Sequence, residues 1–181
     1  MDITFLTGII GSIILVIGAA WPEPKLEVHP SKSTKNWLFA IGALAMLAYA
    51  ILGYINNGSI FFILLEILVV IACILMMTTI NDRIKTAIIL ISAVGLLVWS
   101  LYLFSDKKII VFVIGLTIVS LGYAFRPNTL RRGISLTVGS VLIAWFSWLE
   151  VNWIFFWLNT FFAIFSGYYV TKDLLYPSKT T

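Results

Sequence analysis

Glu66 is the only acidic or basic side chain that lies well inside a long apolar stretch of this sequence. It stands about seven residues, or ~10 Å of helix, from the start of its stretch. Placing such a group in lipid costs about 2.5 kcal/mol or more, so we expect it to face a bundle interior, a partner or a water-filled cavity. Where water is scarce, desolvation favours the neutral acid, which can carry a proton or donate a hydrogen bond to a solute. The alternative is structural, with the acid bonded to a neighbouring helix through Tyr49, Ser147 or Asn159.

Asn159 and a group of tryptophans add a second set of residues with chemical potential. Asn159 lies at the same depth in its own apolar stretch as Glu66, and Trp145, Trp148, Trp153 and Trp157 recur nearby at roughly helical spacing. A sugar or nicotinamide ring could stack on such side chains, although Trp148 and Trp153 are more typical of membrane-interface anchors and core packing is the alternative for the deeper pair. The candidate solute-binding residues are Glu66, Trp145, Trp157 and Asn159.

The same residues do not assemble into a catalytic set. The sequence offers no nucleophile with a base and an orienting group, no phosphate-binding glycine loop and no Cys/His cluster. His29 has only Glu23 and Glu27 nearby, which is too few ligands for a metal site, and the lone Cys73 is expected to be a packing residue. We therefore expect no enzyme activity, no catalytic residue, no metal and no cofactor; with every lysine in a loop or tail, a retinal Schiff base is disfavoured too.

The elements that position these residues are long apolar segments. Of 181 residues, 61% are apolar and 11% are charged, against about 25% charged in a typical soluble domain. Spanning a bilayer takes roughly 20 apolar helical residues. Seven stretches meet that length, of which the sixth is marginal, and all five prolines fall outside them: 4–21, 37–55, 59–80, 86–104, 108–125, 133–149 and 152–170. The sequence predicts an all-α polytopic membrane protein, a single transmembrane domain over 1–181.

Lysine and arginine residues indicate which side each connection faces. If the N-terminus lies outside, ten of the 12 cations fall on the inner side and only Lys107 and Lys108 on the outer side. Because positive residues are retained on the cytoplasmic side, this predicts an N-out, C-in chain in the cell (plasma) membrane. The net charge of +4 is then explained by anionic lipids of the inner leaflet. The lipid bilayer is thus an expected partner and nucleic acid is not.

Comparison of the stretches with one another indicates an internal repeat. The first and fifth share Ile-Gly, a second glycine seven residues on, an alanine and a final aromatic (Ile10–Trp21 and Ile114–Phe125). The second and sixth align from Gly42 and Gly139, and the third and seventh share Ile-Phe-Phe at Ile60 and Ile154. This order predicts a 3+1+3 layout of parallel repeats, over 1–80 and 108–172 with a linker helix at 86–104. The alternative is that apolar helices match by composition alone.

That layout, with a proline-bearing turn after the first helix of each triplet, resembles the PQ-loop superfamily, which includes the SWEET and SemiSWEET sugar transporters. The turns read Trp21-Pro22-Glu23-Pro24 and Phe125-Arg126-Pro127-Asn128, and neither contains the Pro-Gln dipeptide itself. In that family a tryptophan on the second helix and an asparagine on the third line a central pocket, which the second repeat matches with Trp145 and Asn159. The first repeat departs, with Ala48 and the neighbourhood of Leu65 and Glu66. Asn36-Trp37 and Asn152-Trp153 also look like the helix starts of the related nicotinamide riboside transporters.

The resemblance implies a small-solute transporter, for a sugar- or vitamin-like substrate, that works by alternating access between the two helix triplets. A different class of function is a non-transporting accessory or scaffold subunit of a larger membrane complex, whose aromatic face packs on a partner. The chain would be a homo-oligomer or a monomer in the first case and a stoichiometric subunit in the second.

Overall fold

A computed structural model of the protein describes residues 2–21, 29–125 and 129–175, apart from the side chain of Asp173. The loop residues 22–24 and 126–128, which carry the resemblance to the PQ-loop superfamily, lie outside the described residues, as do Lys25, Tyr176 and Lys179. Every regular element in the described ranges is helical. The chain divides into two compact units, Met1–Phe104 and Ser105–Thr181.

Seven α-helices and one short 3₁₀ turn at Pro30–Lys32 account for the described elements. The helices are α1 (Ile3–Ala20), α2 (Thr34–Ile55), α3 (Phe61–Met77), α4 (Asp82–Tyr102), α5 (Lys108–Ala124), α6 (Leu130–Leu149) and α7 (Trp153–Leu175). In the first unit α1 packs on α2, α2 on α3 and α3 on α4; in the second, α5 packs on α6 and α6 on α7.

Each of the seven predicted stretches overlaps one of these helices, but the helices differ in length. Five of them, α1, α2, α4, α6 and α7, are long and apolar enough to cross a membrane. The sixth stretch, marginal as 133–149, becomes a helix of 20 residues. In contrast, α3 and α5 are apolar helices of 17 residues, at the lower limit for a spanning helix of about 17 to 25 residues.

Polar side chains fix several helix starts. The Ser33 hydroxyl accepts from the backbone N–H of Asn36 at the start of α2, and the Asn81 side chain accepts from the N–H of Arg83 at the start of α4. Thr129 does the same at α6, which explains why that helix begins three residues before the predicted stretch. Such bonds satisfy backbone donors that a helix start leaves unpaired.

Helices α1 and α2 bury mainly small residues and expose large apolar ones. On α1 the buried residues are Gly8, Gly11, Leu15 and Gly18, whereas isoleucines such as Ile13 are exposed. A soluble protein places large apolar side chains in its core and rarely exposes contiguous apolar surface of this extent. Small residues at helix contacts with large apolar side chains outside are expected for helices surrounded by lipid.

Glycines set the closest approach between α1 and α2. A Cβ at Gly42 would lie 2.7 Å from Leu15 Cγ and 3.0 Å from Leu15 N, and one at Gly11 would lie 3.0 Å from Ala45 Cβ and 3.1 Å from Met46 N. Leu15 is four residues after Gly11, and Ala45 and Met46 are three and four residues after Gly42. The two backbones come this close because neither glycine carries a side chain.

The contact between α5 and α6 in the second unit follows the same pattern. A Cβ at Gly139 would lie 2.6 Å from Val119 Cγ2 and 2.9 Å from Val119 N, and one at Gly115 would lie 3.1 Å from Leu142 Cβ and 2.9 Å from Ile143 Cδ1. Val119 is four residues after Gly115, and Leu142 and Ile143 are three and four residues after Gly139. Gly11 and Gly42 of the first helix pair therefore have counterparts in Gly115 and Gly139, which make the corresponding contacts in the second pair.

The connections that follow α2 and α6 also share their geometry. The N–H of Gly58 donates to Gly53 O at 2.8 Å and that of Asn57 to Tyr54 O at 3.1 Å, with Asn57 at φ 64°. After α6 the N–H of Asn152 donates to Ser147 O at 2.8 Å and that of Val151 to Trp148 O at 3.0 Å, with Val151 at φ 56°. Both are Schellman motifs, and each left-handed residue stands four positions before a buried phenylalanine, Phe61 or Phe155.

Candidate functional site

Glu66 lies on α3, in the most apolar surroundings of the first unit. Its side chain is 2% exposed, and its helical neighbours Phe62, Leu65 and Leu68 are buried too. Within the described ranges, Glu66 Oε2 has no hydrogen-bond partner. A buried acid is expected to be bonded, so this oxygen is the principal unexplained polar atom of the first unit.

Two of the residues considered as structural partners for Glu66 donate hydrogen bonds within their own helices. Ser147 Oγ donates to Ile143 O at 2.7 Å, and Asn159 Nδ2 donates to Phe155 O at 2.9 Å. Each bond runs to the carbonyl four residues earlier in the same helix, the nearest acceptor for such a side chain in apolar surroundings. Both residues belong to the second unit, whereas Glu66 belongs to the first.

An open groove of about 550 Å³ runs between α6 and α7, a volume within the range of small-molecule sites. Trp145 and Trp148 form part of its α6 wall, and Phe156 and Thr160 part of its α7 wall. Thr160 Oγ1 donates to Phe156 O at 2.8 Å, so its hydroxyl proton is engaged within its own helix. The groove therefore presents aromatic rings and methyl groups more than free hydrogen-bond donors.

Only one of the four candidate binding residues, Trp145, lines this groove. It is 50% exposed, and Trp157 on α7 is 55% exposed but is absent from the groove wall. Trp157 instead packs its ring against Phe156 at 5.1 Å and against Phe161 at 6.3 Å between centroids. Asn159 also lies outside the groove wall, and its amide is bonded as described above.

The groove residues on α7 could have been found from helical spacing. Phe156, Thr160 and Ala163 follow one another at intervals of four and three residues, which places them on one face of a helix. Asn159 and Trp157 are one residue away from members of this series, or about 100° around the helix axis. Depth in the membrane does not determine which way a side chain faces, and Trp157 and Asn159 therefore lie beside the groove and not on its wall.

A separate polar contact joins α5 to the end of α6. Lys108 Nζ lies 3.1 Å from Glu150 Oε1 and 3.5 Å from Asp106 Oδ2. Lys108 is one of the two cations predicted on the outer side, and its carboxylate partners stand at the same end of the unit. The contact therefore groups these charges away from the apolar centres of the helices.

In the described part of the chain, no group of three or more His, Cys, Asp and Glu residues could hold a metal ion. Comparison with protein-family models, with curated proteins and with solved structures finds no match to this chain.

Proposed function

We propose that this protein is a small-solute transporter of the cell membrane, with seven spanning helices in an N-out, C-in orientation. It works by alternating access between two parallel repeats, α1–α3 and α5–α7, with α4 as the linker. The observation that carries the proposal is the recurrence of the glycine contacts in both units, together with the two matching Schellman turns. Transporter folds are often built from such repeats, which move against each other around a central site.

The recurrence favours a repeat over a match by composition alone. Glycine-rich apolar helices can pack closely in many registers, but the two pairs use corresponding glycines and corresponding partner positions. The turns add an independent correspondence, because Asn57 and Val151 stand equally far from Phe61 and Phe155. A parallel repeat of this kind supports the proposed membership of the PQ-loop superfamily.

The proposed solute site lies in the second repeat at the groove between α6 and α7. Trp145 stacks against a flat or weakly polar ring face of a sugar- or vitamin-like solute, since an indole ring offers a large apolar surface with a polar edge. Asn159 contributes its side-chain oxygen beside the groove when the repeats move. In the first repeat the candidate binding residue is Glu66, the one buried acid among the residues that the structure describes there.

Ligand-dependent thermal stability tests the proposal. The purified protein is screened with sugars, vitamins and nucleosides, and compounds that raise its unfolding midpoint are then tested for uptake into proteoliposomes. A transporter gives at least one compound that both stabilises and is taken up. If no compound from a broad screen does so and empty liposomes match protein-containing ones, the transport proposal is wrong.

Two equally exposed tryptophans provide a matched pair for locating the site. We expect Trp145→Ala to weaken solute binding roughly threefold to tenfold, because aromatic pairs contribute about 0.5 to 1.5 kcal/mol beyond their area. Trp157→Ala should bind the solute as the wild type does. Equal losses in both variants would contradict the groove as the solute site and favour a binding surface that includes Trp157.

A non-transporting subunit is the second candidate. It is favoured by the exposed indoles of Trp145, Trp148, Trp153 and Trp157, which could pack on a larger membrane complex. Purification in mild detergent distinguishes the two functions. A stoichiometric partner that co-purifies with the chain supports the subunit, whereas an isolated monomer or homo-oligomer stabilised by a solute supports the transporter.

A further inference from the structure

Among the described residues of its unit, no cation pairs with the carboxyl group of Glu66. It is almost fully buried among apolar side chains of α3, and its Oε2 has no hydrogen-bond partner among the described residues. A carboxylate in this setting is stable only with a cation beside it or a proton on it. The question is therefore which group supplies the positive charge.

The cations on the neighbouring elements stand at the far end of α3. Asn36 Nδ2 in the first turn of α2 donates to Met76 O at 3.3 Å, and Lys85 Nζ in the first turn of α4 donates to Thr78 O at 2.8 Å. These bonds place the first turns of α2 and α4 beside the C-terminal end of α3. Glu66 stands ten residues before Met76, so about 15 Å of helix axis separates it from those turns.

The ionisable residues of the elements that pack on α3 follow this arrangement. They are Lys32 on the 3₁₀ turn, Lys35, Tyr49 and Tyr54 on α2, and Asp82, Arg83, Lys85 and Tyr102 on α4. Every cation among them lies in the 3₁₀ turn or in a first helical turn, at the Met76 end. Tyr49 is about one turn from the level of Glu66 and is uncharged, so it brings no positive charge to the carboxyl group.

The repeat gives a second reason to treat this position as part of a site. Glu66 stands five residues after Phe61, and Thr160 stands five residues after Phe155. Thr160 lines the open groove between α6 and α7 beside Trp145. Glu66 therefore occupies, in the first unit, the α3 position whose counterpart on α7 faces the groove of the second unit.

We propose that Glu66 binds a proton and that this proton is coupled to solute movement. The coupling rests on the proposed transport function, whereas the binding itself does not. The proton binds by forming an O–H bond with one carboxyl oxygen, which leaves the acid neutral among the buried apolar side chains of α3. Those side chains offer no oxygen ligands that could replace the hydration shell of an alkali-metal ion.

Proton binding is tested first without transport. Unfolding midpoints of the purified protein are measured against pH at fixed salt, and against sodium, potassium and lithium at fixed pH, with N-methyl-D-glucamine chloride holding the ionic strength constant. The wild type should respond to pH through Glu66 and not to the alkali ions, because a ligand that binds the folded state stabilises it in proportion to the logarithm of its concentration. Glu66→Gln and Glu66→Met should lose the part of the pH response that Glu66 contributes. A response to an alkali ion that depends on Glu66 would overturn the proton as the ligand.

Glu150→Gln is the matched control, since it removes a carboxylate that pairs with Lys108 at the end of α6 and leaves Glu66 in place. This control should respond as the wild type does. If the wild type, both Glu66 variants and the control give the same dependence on pH, proton binding by Glu66 is overturned.

Proteoliposomes then separate the coupling from the transport. With a stabilising solute, the wild type should accumulate the solute under an imposed proton gradient, and Glu66→Gln should only exchange solute across the membrane. Uptake that ignores the gradient in both proteins overturns the coupling and leaves the transport function standing. A pH response that depends on Glu66 in a protein that moves no solute overturns the transport function and leaves the binding site standing.

Discussion

Adding one methyl group at Gly42 or Gly139 is expected to destabilise the protein, and the structure gives the size of the effect. A Cβ at Gly42 would lie 3.0 Å from the backbone N of Leu15, and one at Gly139 would lie 2.9 Å from the backbone N of Val119. Backbone atoms cannot rotate away, so the two helices must separate. Such overpacking costs about 1 to 3 kcal/mol, partly offset by the gain of about 1 kcal/mol when alanine replaces glycine in a helix.

Gly53 and Gly95 are the matched controls, because a Cβ at either position meets nothing within 4 Å. Alanine there should stabilise the protein by up to about 1 kcal/mol through helix propensity alone. The two pairs of variants should therefore differ by about 1 to 3 kcal/mol, or roughly 2 to 12 °C in unfolding midpoint for a chain of this length.

The assay is thermal unfolding in detergent, followed by intrinsic tryptophan fluorescence at one scan rate. Gly139→Ala should have the larger effect, because the three atoms nearest a Cβ there include two backbone atoms of Val119, N at 2.9 Å and Cα at 3.2 Å, whereas those nearest one at Gly42 include a single backbone atom of Leu15. If Gly42→Ala and Gly139→Ala are as stable as the control variants, the glycine packing and the repeat inferred from it are refuted.

Two further substitutions test particular atoms. Glu66→Met should raise the unfolding free energy by about 1 to 3 kcal/mol, since it removes a buried polar atom that has no partner in the described structure. Glu66→Gln, which keeps a polar group, should change the unfolding free energy less. If the Met variant were less stable than the wild type in the same melting assay, the acid would be held by structural bonds. Val151→Gly should stabilise by about 1 kcal/mol, because a β-branched residue at positive φ is strained. Asn57→Val should lower the stability through the same strain. If Val151→Gly destabilised the protein and Asn57→Val stabilised it, the matching of the two turns would be contradicted.

Much of the helical fold could be predicted from the length of apolar segments, because a chain in lipid must satisfy its backbone hydrogen bonds within each helix. The exact ends of the helices could not be predicted in this way. The third stretch was predicted over 59–80, but α3 ends at Met77 because Thr78 turns into an extended conformation and Asn81 caps the next helix. Helix α6 begins earlier than the predicted sixth stretch because Thr129 caps it. The two arginines in its first turn do not interrupt the helix.

The candidate site was less accessible to sequence reasoning. The burial of Glu66 follows from the cost of exposing an acid to lipid, and the structure places it in the interior. The sequence offered Ser147 and Asn159 as partners for Glu66, but each donates a hydrogen bond to a carbonyl of its own helix. Trp145 and Trp157 have the same chemistry and similar depth, and only the packing of α6 on α7 distinguishes the residue that lines the groove.

Seven membrane crossings with the N-terminus outside are the claim on which the paired repeats depend, and cysteine accessibility in intact cells tests it most directly. Cys73 is buried and is first replaced by alanine. Single cysteines then mark the connections expected outside, in Asn57→Cys, Lys107→Cys and Val151→Cys. Two more mark those expected inside, in Asp82→Cys and Arg131→Cys. A membrane-impermeant maleimide should label the first three variants and leave the last two unlabelled until the cells are opened. Labelling of Lys107→Cys and Asp82→Cys from the same side would show that α4 does not cross the membrane and would contradict the account.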